Sequence, residues 1–157
     1  MLDKNLKYFM RTEAKEEQVL TVPGLESITD ESGKVVDLKI KKLHNETISK
    51  INEMYRSRIP LKDKKKGFVV QDGEVVYKVE RDRAKAARHI MVEALVYPNL
   101  KDQELMKFFD CVDITDMPLK VFPDNDEYGY VSKKVMEVLG LVDSEENDQK
   151  DVDEAKN

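Results

Sequence analysis

The sequence predicts an α+β domain, mainly α, in which N-terminal β-hairpins are followed by a compact bundle of short helices. Three observations carry this prediction. Val36, Leu38 and Ile40 alternate with Asp37, Lys39 and Lys41, the period-two pattern of a strand with one face in water. Asp72-Gly73 stands between two apolar runs, and Asp-Gly accepts the positive φ angles of a two-residue hairpin turn. Beyond Asp82 the apolar spacing changes to three and four, the period of amphipathic helices.

A chain of 157 residues suits one domain with one core. Apolar residues make up 40% and charged residues 38%, and there is no Trp, so the core must rest on Val, Leu, Ile, Met, Phe and Tyr. The single cysteine, Cys111, excludes an internal disulfide framework and points to a cytosol-like redox setting. The N-terminus lacks the apolar stretch of a signal peptide, and no run approaches the roughly 18 apolar residues of a membrane helix. A water-soluble, cytoplasmic protein that does not engage a membrane is expected.

The net charge of −5 has a location. Residues 143–157 hold seven acidic residues and two lysines, a net of −5, and residues 1–142 balance at 25 basic against 25 acidic. A neutral body has no general pull on nucleic acid. The tail has only Val152 and Ala155 as apolar residues, too few to offset its ordering entropy. The expected organisation is therefore an N-terminal arm over 1–16, a single domain over 17–142 and a disordered acidic tail over 143–157. In the arm, Leu2, Leu6, Phe9 and Met10 form one short helical stripe without a strong cap, a segment suited to ordering on a partner.

Within the domain, residues 25–29, a turn at Asp30 to Gly33 and the strand through Val36, Leu38 and Ile40 read as the first hairpin. A helix follows from Asn45, a good N-cap, with Ile48, Ile51, Tyr55 and Ile59 on one side and Pro60 as terminator. The basic run Lys62 to Lys66 leads into the Asp72-Gly73 hairpin. Its Phe68, Val70, Val75 and Tyr77 share one face and Val69 and Val76 the other, so it either packs between elements or offers an edge to a partner.

From Asp82, Ala84, Ala87, Met91, Ala94 and Leu95 form a helical stripe that stops at Tyr97-Pro98. Asp102 caps a short helix with Leu105, Phe108 and Phe109 on one face. Residues 117–122, capped by Thr115 or Asp116 and stopped by Pro123, span barely two turns. The last helix starts at Asp124 with Glu127 at capping-box spacing, carries Tyr128, Val131, Val135, Val138 and Leu139 on one stripe, and ends on Gly140.

No constellation of residues in this chain has the spacing of a reaction centre, and no enzyme activity is expected. The two histidines, His44 and His89, sit in different predicted elements, and His89 with Glu93 lacks further ligands in register for a metal. A cleft joining His89, Glu93 and Cys111 would be needed to argue otherwise. Cys111 reads as a small buried hydrophobe. Asp124 to Gly129 begins like a calcium loop but has Tyr128 at the fifth position and Val135 at the twelfth, where an oxygen ligand and a bidentate Glu are required. Gly24, Gly33 and Gly73 are isolated turn glycines, so no nucleotide-binding loop and no cofactor is expected. Lys62 to Lys66 lacks interleaved aromatics and reads as a solvated loop. Met and aromatic residues concentrate after Met91, and short helices seldom hide every apolar side chain. A partner groove lined by some of Tyr97, Leu105, Phe108, Phe109 and Tyr130 is the resulting expectation.

The order of these features resembles the XkdN-like tail assembly chaperones of long-tailed phages and prophages of Gram-positive bacteria. The likeness spans about residues 8–142: Phe9-Met10 near the start, the hairpin through residues 30–43, then residues 91–109, and a helix opening on Pro123 and closing on Leu139-Gly140-Leu141. Val96 to Leu105 is similar to the family's V-x-P-D-L-x-D-x-E-L step between two helices. Residues 123–141 are similar to its P-G-E-Y opening and L-N-G-F-like close, although Pro123 to Tyr128 is longer than usual and Leu139 stands where a polar residue is common. The resemblance implies a protein of tail morphogenesis, acting in the cytoplasm of the bacterial host and absent from the finished virion. It would bind the tape measure protein, with the tail tube protein as a second candidate partner and self-association open, and keep the tape measure soluble until the tube polymerises around it. The contrasting expectation is a phage-encoded adaptor or regulator that adds the hairpin at Phe68 to Val79 to a host protein.

Overall fold

Leu38 and Ile40 set the position of everything else. In the computed structural model, which describes residues 5–12, 15–65 and 67–142, these two side chains are buried and Lys39 between them is exposed, as the alternation requires. Strand β2 (Leu38–Lys41) is the centre of a three-stranded antiparallel sheet. On one side lies β1 (Val19–Val22), with Leu20 opposite Ile40 and Val22 opposite Leu38.

This pairing corrects the expected first hairpin. Residues 25–28 turn back on themselves through a bond from the Ile28 amide to the Leu25 carbonyl, leaving one bridge, Thr29 with Val35. The Asp30 carboxylate closes the intervening loop by accepting the amides of Ser32 and Lys34, an Asx turn that competes with strand pairing.

Helix α1 (Asn45–Met54) buries Ile48 and Ile51. His44, extended and making no side-chain cap bond, occupies the N-cap in place of Asn45. The helix stops at Tyr55 instead of Pro60. Residues Arg56–Pro60 form β3, paired with β8 (Tyr77–Arg81) in register from Arg56 opposite Arg81 to Pro60 opposite Tyr77. Between them β4 (Lys62–Asp63) pairs with β5 (Gly67–Phe68), and β6 (Val70–Gln71) with β7 (Glu74–Val75). The Asp72-Gly73 turn has φ of 53° and 82°, the positive angles expected of it. Phe68 lies opposite Lys62 rather than Tyr77. The described residues of 56–81 form a branched β-arm, and the hydrophobic core draws none of them.

Helix α2 (Arg83–Ala94) starts on Asp82, whose carboxylate accepts the Lys85 amide at 3.0 Å. It buries Ala86, Ile90, Met91, Val92 and Ala94 while Ala84 is exposed, a wider and rotated face than the predicted stripe. Leu95 leaves the helix and begins β9 (Leu95–Tyr97), which pairs with β2 through Ile40–Leu95 and Lys39–Tyr97. Among the described residues the domain is thus a mixture of strands and five α-helices, in which the last sheet strand runs out of the helix that buries most side chains.

Helix α3 (Gln103–Phe108) is capped by Asp102, which accepts the Leu105 amide at 3.1 Å. Before α4 (Met117–Val121) comes a 3-10 turn (Ile114–Asp116) capped by Asp113. The Asp113 carboxylate accepts both the amide and the hydroxyl of buried Thr115, while Asp116, one of the two predicted caps, holds the N-cap position of α4 without a side-chain cap bond. Helix α5 (Asn125–Val138) starts on Asp124 as predicted. Glu127 does not close a capping box; it accepts the Ser27 hydroxyl at 2.6 Å and ties α5 to the 25–28 turn. At the other end Gly140 (φ 73°) donates to the Glu137 carbonyl and Leu141 to that of Met136, a Schellman close. The core gathers Ile40, Ile51, Met91, Leu95, Leu100, Met117, Phe122, Val131 and Val135 between sheet and helices.

A 3-10 helix (Leu6–Phe9) precedes the domain with Leu6, Tyr8, Phe9 and Met10 exposed; Leu2 of the expected stripe lies outside the described residues. The acidic stretch 143–157 and its expected disorder also lie outside them. No described helix is long and apolar enough to cross a membrane.

Candidate partner-binding cleft

Three local features open an apolar cleft of about 220 Å³ beside β9, lined by Leu25, Ile28, Val36, Leu38, Tyr97, Pro98, Leu105, Val121 and Phe122. The Asp30 turn folds Ile28 and Val36 over the sheet. The Asp102 cap fixes α3, so that Leu105 projects from its first turn. The end of α4 supplies Val121 and Phe122. No charged side chain lines the cleft. Its size admits one or two apolar side chains, below the roughly 300 Å³ at which small-ligand pockets begin.

The structure brings together two of the residues singled out from sequence. Tyr97 is 52% exposed at the rim, and Leu105 lies within. Phe108 stands one helical turn beyond Leu105 and is 80% exposed. Phe109 is half-buried against the core, edge-on to Phe108 with ring centroids 4.9 Å apart. It serves as the base on which Phe108 stands. Tyr130 sits elsewhere: its hydroxyl donates to the Pro23 carbonyl at 2.9 Å, and it lines a different depression with Gly24 and Glu127. The remaining lining residues were not singled out. Ile28 and Val36 flank the Asp30 turn at a distance from Tyr97 that only the β2–β9 pairing closes.

The residues weighed for chemistry do not converge. The Tyr55 hydroxyl is 2.6 Å from His89 Nδ1, His89 Nε2 is 3.6 Å from Glu93, and Glu93 pairs with Lys101 at 3.1 Å. This chain joins the end of α1 to α2 and to the loop before α3. Burial pushes the Tyr55 phenol up, with the Lys85 ammonium opposing. The Cys111 thiol, half-buried, donates to the Asp113 carbonyl and takes no part in that chain. Among the described residues no three His, Cys, Asp or Glu side chains are grouped to hold a metal ion. The Asp124 carboxylate, first in the calcium-like stretch, is turned to the Asp126 amide. In the basic run, Lys62 lies over the Phe68 ring and the Lys65 amide is held by Asp63; Lys66 lies outside the described residues.

Comparison with known proteins points one way. A model of the family described as phage XkdN-like tail assembly chaperone protein matches residues 6–156. Two Bacillus subtilis (strain 168) proteins are similar over nearly their whole lengths. The uncharacterized protein YqbN is 27% identical over 151 residues, 96% of this chain and 91% of that protein. The phage-like element PBSX protein XkdN is 24% identical over 154 residues, 98% and 94% of the two chains. A crystal structure of the protein YqbN shares the fold with a TM-score of 0.62, covering 86% of this chain and 95% of that one at 21% identity.

Proposed function

The chain belongs to the XkdN-like family of phage tail assembly chaperones, and from that membership we propose that it binds the tape measure protein in the host cytoplasm and keeps it soluble until the tail tube polymerises around it. The observation that supports this reading is the uncharged cleft at Tyr97 and Leu105, extended along α3 by the exposed Phe108. A cleft that accepts one or two apolar side chains suits a ligand presenting such residues at helical intervals, with each contact weak. Reversibility follows, because the coat must leave when the tube arrives and many weak contacts release more readily than one tight site. The acidic stretch 143–157 adds charge repulsion between coated complexes.

Co-expression tests the proposal. The tape measure protein is expected in the soluble fraction with this chain and in the pellet without it, and a Tyr97→Ser, Phe108→Ser double variant is expected to lose most of the rescue. Equal solubility with and without the chain would sink the proposal.

A second reading, an adaptor acting on a host protein, is favoured by the exposure of Phe68, Val70, Val75, Tyr77 and Val79 on the β-arm. Replacing residues 58–79 by a short turn separates the two. Loss of function with an intact helical half favours the adaptor, and retained tape measure rescue favours the chaperone.

A further inference from the structure

The balanced charge of residues 1–142 conceals a division. Residues 56–83 hold nine basic residues against five acidic, a net of +4, and the rest of 1–142 carries −4. The register of β3 and β8 then sorts the basic residues by face. Directly opposed residues in an antiparallel pair share a face, as do residues two apart. Arg56 is opposite Arg81, and Arg58 is opposite Val79, so three arginines project from one side of a two-stranded ribbon.

Like charges directly opposed across strands repel, and here one carboxylate serves both: Glu53 lies 3.3 Å from Arg56 and 3.4 Å from Arg81. All three of those side chains remain half-exposed. Arg56, Arg81 and Arg83 line a single open cleft of about 460 Å³ at the root of the arm. Glu80, the acidic residue in that lining, is paired with Lys78. Guanidinium groups take carboxylates in a two-pronged fashion, so this face has unfilled capacity for more of them.

The chain itself delivers carboxylates to this place. Leu141 lines the adjoining groove together with Arg81 and Arg83, so the described chain, which stops at Val142, ends beside the root of the arm. The next fifteen residues carry a net of −5 and reach about 50 Å when extended, against about 17 Å for a five-residue strand pair.

We propose that the acidic stretch 143–157 docks in cis on the arginine face of the β-arm, against Arg56, Arg58, Arg81 and Arg83. Being tethered, it is present at a millimolar effective concentration. It acts as a built-in competitor that an acidic partner of the arm must displace. Having almost no apolar residues, it is held by charge alone and releases readily. This inference is independent of what fills the Tyr97 cleft.

The test uses the full chain with a nitroxide on Lys150→Cys in a Cys111→Ser background, and amide signals read by 15N NMR. At low salt the amides of Arg56, Arg58, Val79, Arg81 and Arg83 are expected to lose intensity about twofold or more, and to recover near 0.5 M salt, where the screening length is roughly 4 Å. An Arg58→Glu, Arg81→Glu variant should abolish the loss, and the salt response of the parent decides the matter should that variant misfold. No loss at the arm, or loss spread evenly over the domain, overturns the proposal and leaves the face to an external polyanion. Loss on an unlabelled 15N chain mixed with labelled 14N chains places the stretch on a second copy and overturns the cis arrangement.

Discussion

Gly24 and Gly129 both have ordinary φ angles, and the same substitution is expected to move stability in opposite directions at the two. A Cβ added at Gly24 would fall inside the contact radius of the Val36 carbonyl oxygen and 2.9 Å from the carbonyl carbon. The obstacle is backbone, and it is not free to withdraw. The Val36 amide is bonded to the Ile28 carbonyl at 3.0 Å, and the chain enters β2 two residues later. Overpacking of this kind costs about 1–3 kcal/mol, and straining the Val36–Ile28 bond adds about 1 kcal/mol. Gly24→Ala should therefore lose about 2–4 kcal/mol, which in a chain of this size lowers Tm by about 4–16 °C.

At Gly129, inside α5, an added Cβ meets nothing within 4 Å. Alanine there removes the entropic cost of a helical glycine and should gain about 0.5–1 kcal/mol. Thermal unfolding of both variants followed by circular dichroism provides the comparison. A Gly24→Ala Tm within about 2 °C of the parent would refute the close approach of the two backbones. A fall at Gly129 as large as that at Gly24 would refute the assignment of the loss to that approach.

Three further outcomes follow from single contacts. Tyr55→Phe removes the 2.6 Å bond to His89 and should cost about 1–2 kcal/mol in chemical denaturation. Because burial raises the Tyr55 phenol, its contribution is full below the usual phenol pKa and is lost as pH climbs through the raised value, so the parent and variant should converge in strong alkali. Asp113 is held below the usual carboxylate range, first by the Thr115 hydroxyl and then by the Thr115 amide. Its contribution is present above that range and lost as pH falls through the lowered value, so Asp113→Asn should flatten the acid limb of a Tm-against-pH curve. Phe108→Ala, at an exposed position, should change stability by less than about 0.5 kcal/mol. The same change should weaken tape measure binding by a hot-spot amount of about 2 kcal/mol, roughly 30-fold, measured by calorimetry with a tape measure fragment.

What could be read in the sequence was local in its physics. The caps at Asp102 and Asp124, the Asp72-Gly73 turn and the Gly140 close each involve groups within a few residues of one another. The errors share the opposite property. Residues 25–29 pattern as the partner strand, but it is 19–22 that pair with one side of β2 and 95–97 that fill the other. Likewise Ile59 continues the helical spacing of Ile48, Ile51 and Tyr55, but β8 offers residues 56–60 a ladder of partners. Tertiary pairing outweighs a weak helical preference.

The candidate site divides along the same line. Tyr97 and Leu105 stand on either side of the short connection from β9 to α3, so their proximity is a local matter, and Leu105 and Phe108 share a face by helical period. Tyr130 is an aromatic of the same kind in sequence, but it is half-buried against the core and its hydroxyl finds the Pro23 carbonyl 107 residues away in sequence, a partner no periodicity announces. The charge of the arm is the clearest instance. Counting residues makes 1–142 neutral, and a neutral body argues against electrostatic recognition. Register places Arg56 across from Arg81 and gathers Arg58 and Arg83 nearby, so that repulsion between fixed like charges creates a local demand for carboxylate. Recognition depends on the field at a surface, and that field is set by strand pairing as much as by composition.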